Sequence, residues 1–268
     1  MPVLPDVDLK AKGAILIDAT DGRTLWAQGS GAARQLASIT KIMTAVVVLA
    51  RPGADLDRQV TVEQAHADCV NREHASSADL RPGDRLTVRQ LLYTMLLPSG
   101  RDAAFALADT FGTGLTTMDR VRSFIGAMND KARQLGLSSA QFSSFDGVLG
   151  AGHDTATPQD VAALARHAMR DATFRMIVET AKTEQEAPAG NGRTRRYEWK
   201  NTNVLVGTYE EVLGVKTGTG PRSGKCLVFA AHWGDRTVLG VLLDDRDRYD
   251  DARKLLTWAK GENGPVGR

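Results

Sequence analysis

The sequence predicts an α/β fold in which the two ends of the chain together build one layer of strands and helix, with a block of helices inserted between them. Three observations carry this. Short apolar runs rich in Val, Ile, Leu and Phe lie near both ends of the chain. The middle repeats apolar residues at helical spacing, with capping residues at the starts. Turn-forming residues fall at the joints between these segments. A length of 268 residues suits one or two domains with a large core. Hydrophobic residues at 42% and charged residues at 25% argue against global disorder. Lys plus Arg is 34 against 32 for Asp plus Glu, so the net charge of +2 gives no electrostatic reason to expect nucleic acid as a partner.

Taken in order, Gly13–Ala19 (GAILIDA) and Thr24–Gln28 (TLWAQ) read as a β-hairpin joined through the turn-rich stretch DATDGR. Ser38–Leu49 reads as a buried helix, apolar almost all round, ended by Arg51-Pro52-Gly53. Thr87 caps a helix to Leu97 whose apolar positions Val88, Leu91, Leu92, Met95 and Leu96 share one face, and Pro98 stops it. Further helices cover 102–109 and about 122–135, the latter closed by Gly136. A glycine-rich loop spans 146–155 (DGVLGAGHDT). Thr157-Pro158 then opens another helix, with proline at its first position and Asp160 in its first turn. Residues 211–217, 225–233 and 237–244 read as strands, the last two a hairpin turning at Gly234-Asp235-Arg236, and 249–260 closes the chain as a helix.

The longest apolar stretch, Ile42–Ala50, is nine residues and includes Thr44, well short of the about twenty that span a bilayer. The opening MPVLPDVDLKAKGAILIDA lacks the pattern of a signal peptide, and GENGPVGR at the other end reads as a linker or frayed tail. Either the chain is cytoplasmic or an export signal has been removed. Cys69 and Cys226 cannot hold a metal alone, and the five histidines show no HExxH spacing, so no metal and no cofactor are expected. The two cysteines are expected as free thiols.

Three short motifs carry chemistry. Ser38-Ile39-Thr40-Lys41 is an SxxK, and in a helix residues three apart share a face, so Lys41 reaches the Ser38 hydroxyl. A serine becomes a nucleophile when a neighbouring base takes its proton, and a lysine serves as that base when burial or another cation lowers its pKa. Ser38 at a helix start also meets free N–H groups that favour developing negative charge. The bland alternative is a helix cap followed by a surface lysine. Against it, Ser38 is the only serine with Lys at plus three, and the apolar helix behind it buries the pair. Lys216-Thr217-Gly218 ends a strand with an ammonium, a hydroxyl and a residue without a Cβ, which together can pair with an extended substrate and hold a terminal carboxylate. Alone, KTG is more simply a strand end. Ser99 follows the Pro98 helix stop and alone is more simply a turn residue.

Together the three stand in the order of the SxxK, SDN and KTG signature of serine acyl-transfer enzymes that react with β-lactams, with Ser99-Gly100-Arg101 in the place of SDN. With LASITKIMTA (36–45), VRQLLYTMLLPSG (88–100), DAAFALAD (102–109), WKNTN (199–203), GVKTG (214–218) and CLVFAA (226–231), the chain resembles the low-molecular-mass penicillin-binding proteins, serine D-alanyl-D-alanine peptidases, nearly end to end. The resemblance implies a penicillin-binding-protein/β-lactamase-like fold: an antiparallel sheet flanked by helices, with an inserted all-helical subdomain. It implies a single catalytic domain over 1–268, its α/β part at about 1–52 and 200–262 and its helical part at about 53–199, with no room for a further C-terminal β-domain. By the same resemblance Ser38 is the acylated nucleophile, Lys41 its base, and Ser99 the relay to the leaving D-alanine. Lys216 and Thr217 bind the substrate carboxylate, and the backbone N–H groups of Ser38 and Thr219, next to Gly218, form the oxyanion hole. The implied partners are a peptidoglycan stem peptide ending in D-Ala-D-Ala and β-lactams as covalent inhibitors, and the implied location is extracytoplasmic.

Arg101 is the departure, because the family usually has Asn there, contacting the lysine and the substrate amide. A guanidinium turned into the cleft would crowd Lys41 and Lys216. Turned outward, to solvent or a carboxylate, it avoids that cost, and this orientation is favoured. Either way the Asn contact is missing, so slow peptide turnover with measurable β-lactam acylation is expected. Two rival readings remain: a β-lactamase, against which the loop 146–155 offers no glutamate, and a β-lactam-binding module with little or no peptidase turnover, which only Arg101 supports.

Overall fold

The computed structural model describes residues 7–70, 76–148 and 153–261. In chain order the elements are β1 (Gly13–Asp18), β2 (Thr24–Gln28), β3 (Arg34–Gln35), a 3-10 turn (Ala37–Thr40), α1 (Lys41–Leu49), β4 (Gln59–Thr61), α2 (Gln64–Asp68), β5 (Arg85–Thr87), α3 (Val88–Leu96), α4 (Arg101–Phe111) and α5 (Thr117–Gln134). There follow β6 (Thr155–Ala156), α6 (Pro158–Ala168), α7 (Ala172–Val178), β7 (Lys182–Pro188), β8 (Thr194–Lys200), β9 (Val212–Gly220), β10 (Gly224–Trp233), β11 (Arg236–Asp245) and α8 (Arg248–Gly261).

The main sheet has five strands in the order β2-β1-β11-β10-β9, every neighbouring pair antiparallel. The first strand of the chain thus pairs with the last, Ile15 opposite Val241, which brings the two ends into one layer. Both faces are covered. Ile15, Ile17, Val228, Leu239 and Val241 join the core of the helical block, while Ala14, Leu16, Leu227, Phe229 and Leu242 pack with Leu255 and Leu256 of α8. That is why GAILID and its partners are apolar at successive positions: alternate side chains face opposite cores. Each such Leu, Ile or Phe, fully buried, contributes about 1.5–3 kcal/mol. α6 lies across β1 and β11 although it comes from the middle of the chain.

Capping residues set the helical block. Thr87 accepts from Gln90 N while the Gln90 side chain accepts from Thr87 N, and Thr157 accepts from Asp160 N ahead of Pro158. Several elements differ from the sequence reading. The helix expected from Ser38 is a 3-10 turn that passes into α1 at Lys41. α5 starts earlier, at a capping box of Thr116 and Asp119, because its first turn is polar and hides the helical period. The block also carries two ribbons, β4-β5 and β7-β8. β7 and β8 (KTEQEAP and TRRYEWK) bury only alternate residues of one half, so their composition does not signal strands. Part of the glycine-rich loop, residues 149–152, lies outside the described residues. Cys69 and Cys226 are free thiols. Among the described residues, no helix is long and apolar enough to cross a membrane.

Candidate active site

Ser38 sits in the 3-10 turn, just ahead of α1 rather than on it. The turn is clamped from two sides. At Gly147 (φ +82°) an added Cβ would lie 1.8 Å from Ala37 O, and at Gly218 it would lie 2.8 Å from Leu36 O. Only glycine allows the 146–148 loop and strand β9 to press on the Ser38 turn this closely. The sequence reading gave the glycine of KTG to an approaching substrate; its tight contact is with the chain's own Leu36 carbonyl. Thr40 Oγ1 donates to Asp154 Oδ2 at 2.9 Å, and Asp154 also accepts from Ser143 N and Ser144 N.

Lys41 is the first residue of α1 and is 1% exposed. Its Nζ lies 3.1 Å from Ser38 Oγ and donates to Asp146 O at 2.9 Å. Burial pushes its pKa down from the ordinary lysine value; the Asp146 carboxylate opposes that shift and the Arg101 guanidinium reinforces it. A lysine that gives up its proton readily, within reach of a hydroxyl, can serve as a base. Lys216 is affected as well: burial, then Lys41 and Arg248, hold it well below its usual value.

Ser99 follows α3 in a left-handed backbone conformation, φ 67°, and is 4% exposed. Its hydroxyl has no hydrogen-bond partner among the described residues. A buried hydroxyl held in a strained turn is the pattern of a group kept for a ligand. Two residues on, Arg101 starts α4, and its Nε lies 3.2 Å from Asp146 Oδ2. The guanidinium thus meets a carboxylate, but it does so inside the site and not turned outward as expected: the arginine is 14% exposed and its charge acts on Lys41.

Lys216 and Thr217 are buried on β9, while Thr219 is exposed. Lys216 Nζ donates to Thr217 O at 3.1 Å. Thr217 Oγ1 is 2.6 Å from Thr202 Oγ1, and Thr202 donates to Leu97 O through both its N–H (3.0 Å) and its hydroxyl (3.2 Å). Thr202 therefore ties the KTG strand to the segment that leads into Ser99. Arg248, at the start of α8, donates through Nη1 to Gly218 O at 2.7 Å, Thr219 Oγ1 at 2.9 Å and Cys226 O at 3.2 Å. The structure thus links Ser38, Lys41, Arg101 and Asp146 through one set of contacts, and Thr217, Thr202 and the Ser99 segment through another. β9 also packs on the 3-10 turn that carries Ser38. Asp146, Thr202 and Arg248 escaped the sequence reading. Thr202 falls inside WKNTN, which drew notice only as part of the resemblance; the other two belong to no motif.

The Peptidase S11 family, described as D-alanyl-D-alanine carboxypeptidase, matches residues 2–247. The chain belongs to the D-alanyl-D-alanine carboxypeptidase family. It is 43% identical over 254 residues to the D-alanyl-D-alanine carboxypeptidase of Streptomyces sp. strain K15, covering 93% of this chain and 87% of that one. The crystal structure of the Streptomyces K15 DD-transpeptidase superposes with a TM-score of 0.93 at 43% identity, covering 96% of this chain and 99% of the other. D-alanyl-D-alanine carboxypeptidase DacC of Escherichia coli is 33% identical over 95% of this chain, which spans 62% of that protein's length. As a member of this family the chain is a serine-type DD-peptidase, and its antiparallel sheet with flanking helices is the fold the resemblance implied.

Proposed function

We propose that the chain cleaves the terminal D-Ala-D-Ala bond of peptidoglycan stem peptides through an acyl-enzyme on Ser38, and that β-lactams acylate the same serine. The observation that carries this is the buried Lys41 Nζ, its pKa lowered, 3.1 Å from Ser38 Oγ. Lys41 takes the hydroxyl proton as Ser38 Oγ attacks the carbonyl carbon of the penultimate D-alanine. The developing oxyanion is received by the backbone N–H groups of Ser38 and Thr219. The C–N bond then breaks, and Ser99 passes a proton to the amine of the departing D-alanine. Water or an amine attacks the ester and frees Ser38. Lys216 and Thr217 hold the terminal carboxylate, and Arg248 braces the strand that carries them and adds positive charge beside it.

One catalytic domain accounts for this work, with an α/β part from about 1–52 and 200–262 and a helical part from about 53–199. The substrate lies outside the cytoplasmic membrane, so the proposed activity is extracytoplasmic. A long-lived penicilloyl-enzyme is expected rather than β-lactam hydrolysis. Of the carboxylates around Lys41, Asp146 faces Arg101, Asp154 accepts from Thr40 and Ser144, and Asp102 accepts from Ser77, Ala78 and Leu80, so each is already engaged. Incubation with a labelled penicillin should add one acyl group, on Ser38, and D-alanine should be released from a diacyl-D-Ala-D-Ala peptide. Ser38→Ala should abolish both and leave the protein folded, because the Ser38 hydroxyl caps no helix. A label mapped to another residue would falsify the assignment.

A further inference from the structure

The site contains a buried ion pair that the acylation scheme does not call on. Arg101 Nε lies 3.2 Å from Asp146 Oδ2, with the aspartate side chain 1% exposed and the arginine 14%. Asp146 is also the residue whose carbonyl accepts Lys41 Nζ at 2.9 Å. Its Oδ1 accepts from Val148 N at 3.2 Å, which fixes the carboxylate in the loop beside Gly147. The nucleophile turn rests on that same glycine.

We propose that Arg101 and Asp146 are positioning residues for acylation: Arg101 offsets the charge of Asp146 beside Lys41, and Asp146 holds the carbonyl to which the Lys41 amine is anchored. The proposal rests on Lys41 being the base for Ser38. Alone beside Lys41, the buried Asp146 carboxylate would favour the ammonium form, which cannot accept the serine proton. Alone, the guanidinium would favour the amine but would lose its contact with the Asp146 carboxylate. As a pair, their effects on Lys41 oppose one another, that of Asp146 being the larger, and burial leaves the lysine's pKa lowered; burial pushes the Asp146 carboxyl up while Lys41 and Arg101 hold it down. The other charged groups facing Lys41 are Asp102 at the start of α4, Asp154 ahead of β6 and Lys216 on β9. All three stay the same in the variants below. The pair also gives a reason for arginine at a position where the resemblance leads one to expect asparagine: a neutral residue there would leave Asp146 uncompensated.

The test is the pH dependence of acylation by a fluorescent penicillin, normalised to the fraction of protein that becomes labelled, so that only folded enzyme is counted. In Arg101→Met the acid limb should move up by about one pH unit, making acylation roughly tenfold slower on the limb and restoring it at alkaline pH. In Asp146→Asn the limb should move down. The double variant should return to within about half a unit of the parent, because both charges are gone together. Arg101→Lys should keep the parent profile. If the single variants shift the limb in the same direction, or slow acylation at every pH with the limb unmoved, the pair is merely structural and the proposal fails. If Arg101→Met does not fold, Asp146→Asn and the double variant decide it by the same criterion. If the parent limb survives Lys41→Arg, the reading of Lys41 as base fails, and this proposal with it. If Lys41→Arg removes the limb and the opposed shifts are absent, only the proposal fails.

Discussion

Lys41 and Lys216 are both about 1% exposed, yet each faces a different demand. In the proposed reaction Lys41 accepts a proton, so its useful form is neutral. Acylation should therefore fall as pH drops through its lowered pKa. Lys41→Arg should abolish acylation as completely as Lys41→Ala, because a guanidinium stays charged at any working pH and cannot act as a base. Stopped-flow acylation of the two variants checks this, and an active Lys41→Arg enzyme would place the base elsewhere. In the proposed reaction Lys216 meets a carboxylate, and its burial is a cost to the fold. Its folded pKa lies well below the 10.5 of an exposed lysine. Between those values the unfolded chain holds the proton and the native chain does not, so stability falls as pH is lowered through the window. Lys216→Met removes that penalty. It should raise the urea midpoint near pH 7, lose the gain as pH approaches 10.5, and suppress acylation throughout. A midpoint below that of the parent at pH 7 would show that the lysine supports the fold.

At the scale of elements, periodicity and capping made α3 and α6 legible, and dense apolar runs did the same for the strands of the main sheet. What stayed hidden was polar. α5 opens on Thr116 and Asp119, and β7 and β8 expose alternate charged residues. The joint between β11, α8 and the N-terminal segment is another polar feature without a sequence signature. Asp245 accepts from Asp247 N at 2.7 Å, while Asp251 accepts from Lys10 N and Ala11 N. Burial, with the Asp251 charge nearby, pushes the Asp245 carboxyl up to about 6 from 3.8. Between those values the native protein holds a proton that the unfolded chain has released, so stability should decline as pH rises from about 4 to about 6. Asp245→Asn keeps an acceptor for Asp247 N and should flatten this part of the curve. Denaturant midpoints measured across that range would show it, and an unchanged slope in the variant would assign the effect to another group.

The whole molecule brings together three motifs that the sequence keeps far apart. SxxK was legible because it is a local spacing whose chemistry can be read from neighbouring residues, and KTG, alone more simply a strand end, became legible beside SxxK and Ser99. The contacts that make them one site were not, because they join residues distant in the chain: Lys41 meets Asp146 across 105 positions, and Thr202 meets Leu97 across 105 more. No periodicity or composition reports such a pairing. Thr202 is the clearest case. It lies between β8 and β9, reaches the end of the α3 segment through Leu97 O, and shares a hydrogen bond of 2.6 Å with Thr217. Thr202→Val keeps the shape and the backbone N–H to Leu97 O but deletes the hydroxyl, so the buried Thr217 hydroxyl loses its partner. A buried polar group left unpaired costs about 1–3 kcal/mol, and Thr217 would turn away from the position in which it can meet a carboxylate. Urea unfolding should therefore show a loss of that size, and fluorescent-penicillin acylation should slow by roughly tenfold, the effect of about 1.4 kcal/mol on a barrier. Thr202→Ser, which keeps the hydroxyl, should recover most of the acylation rate. If Thr202→Val lowers stability but leaves acylation at the parent rate, the link between the KTG strand and the Ser99 segment braces the fold without orienting the site.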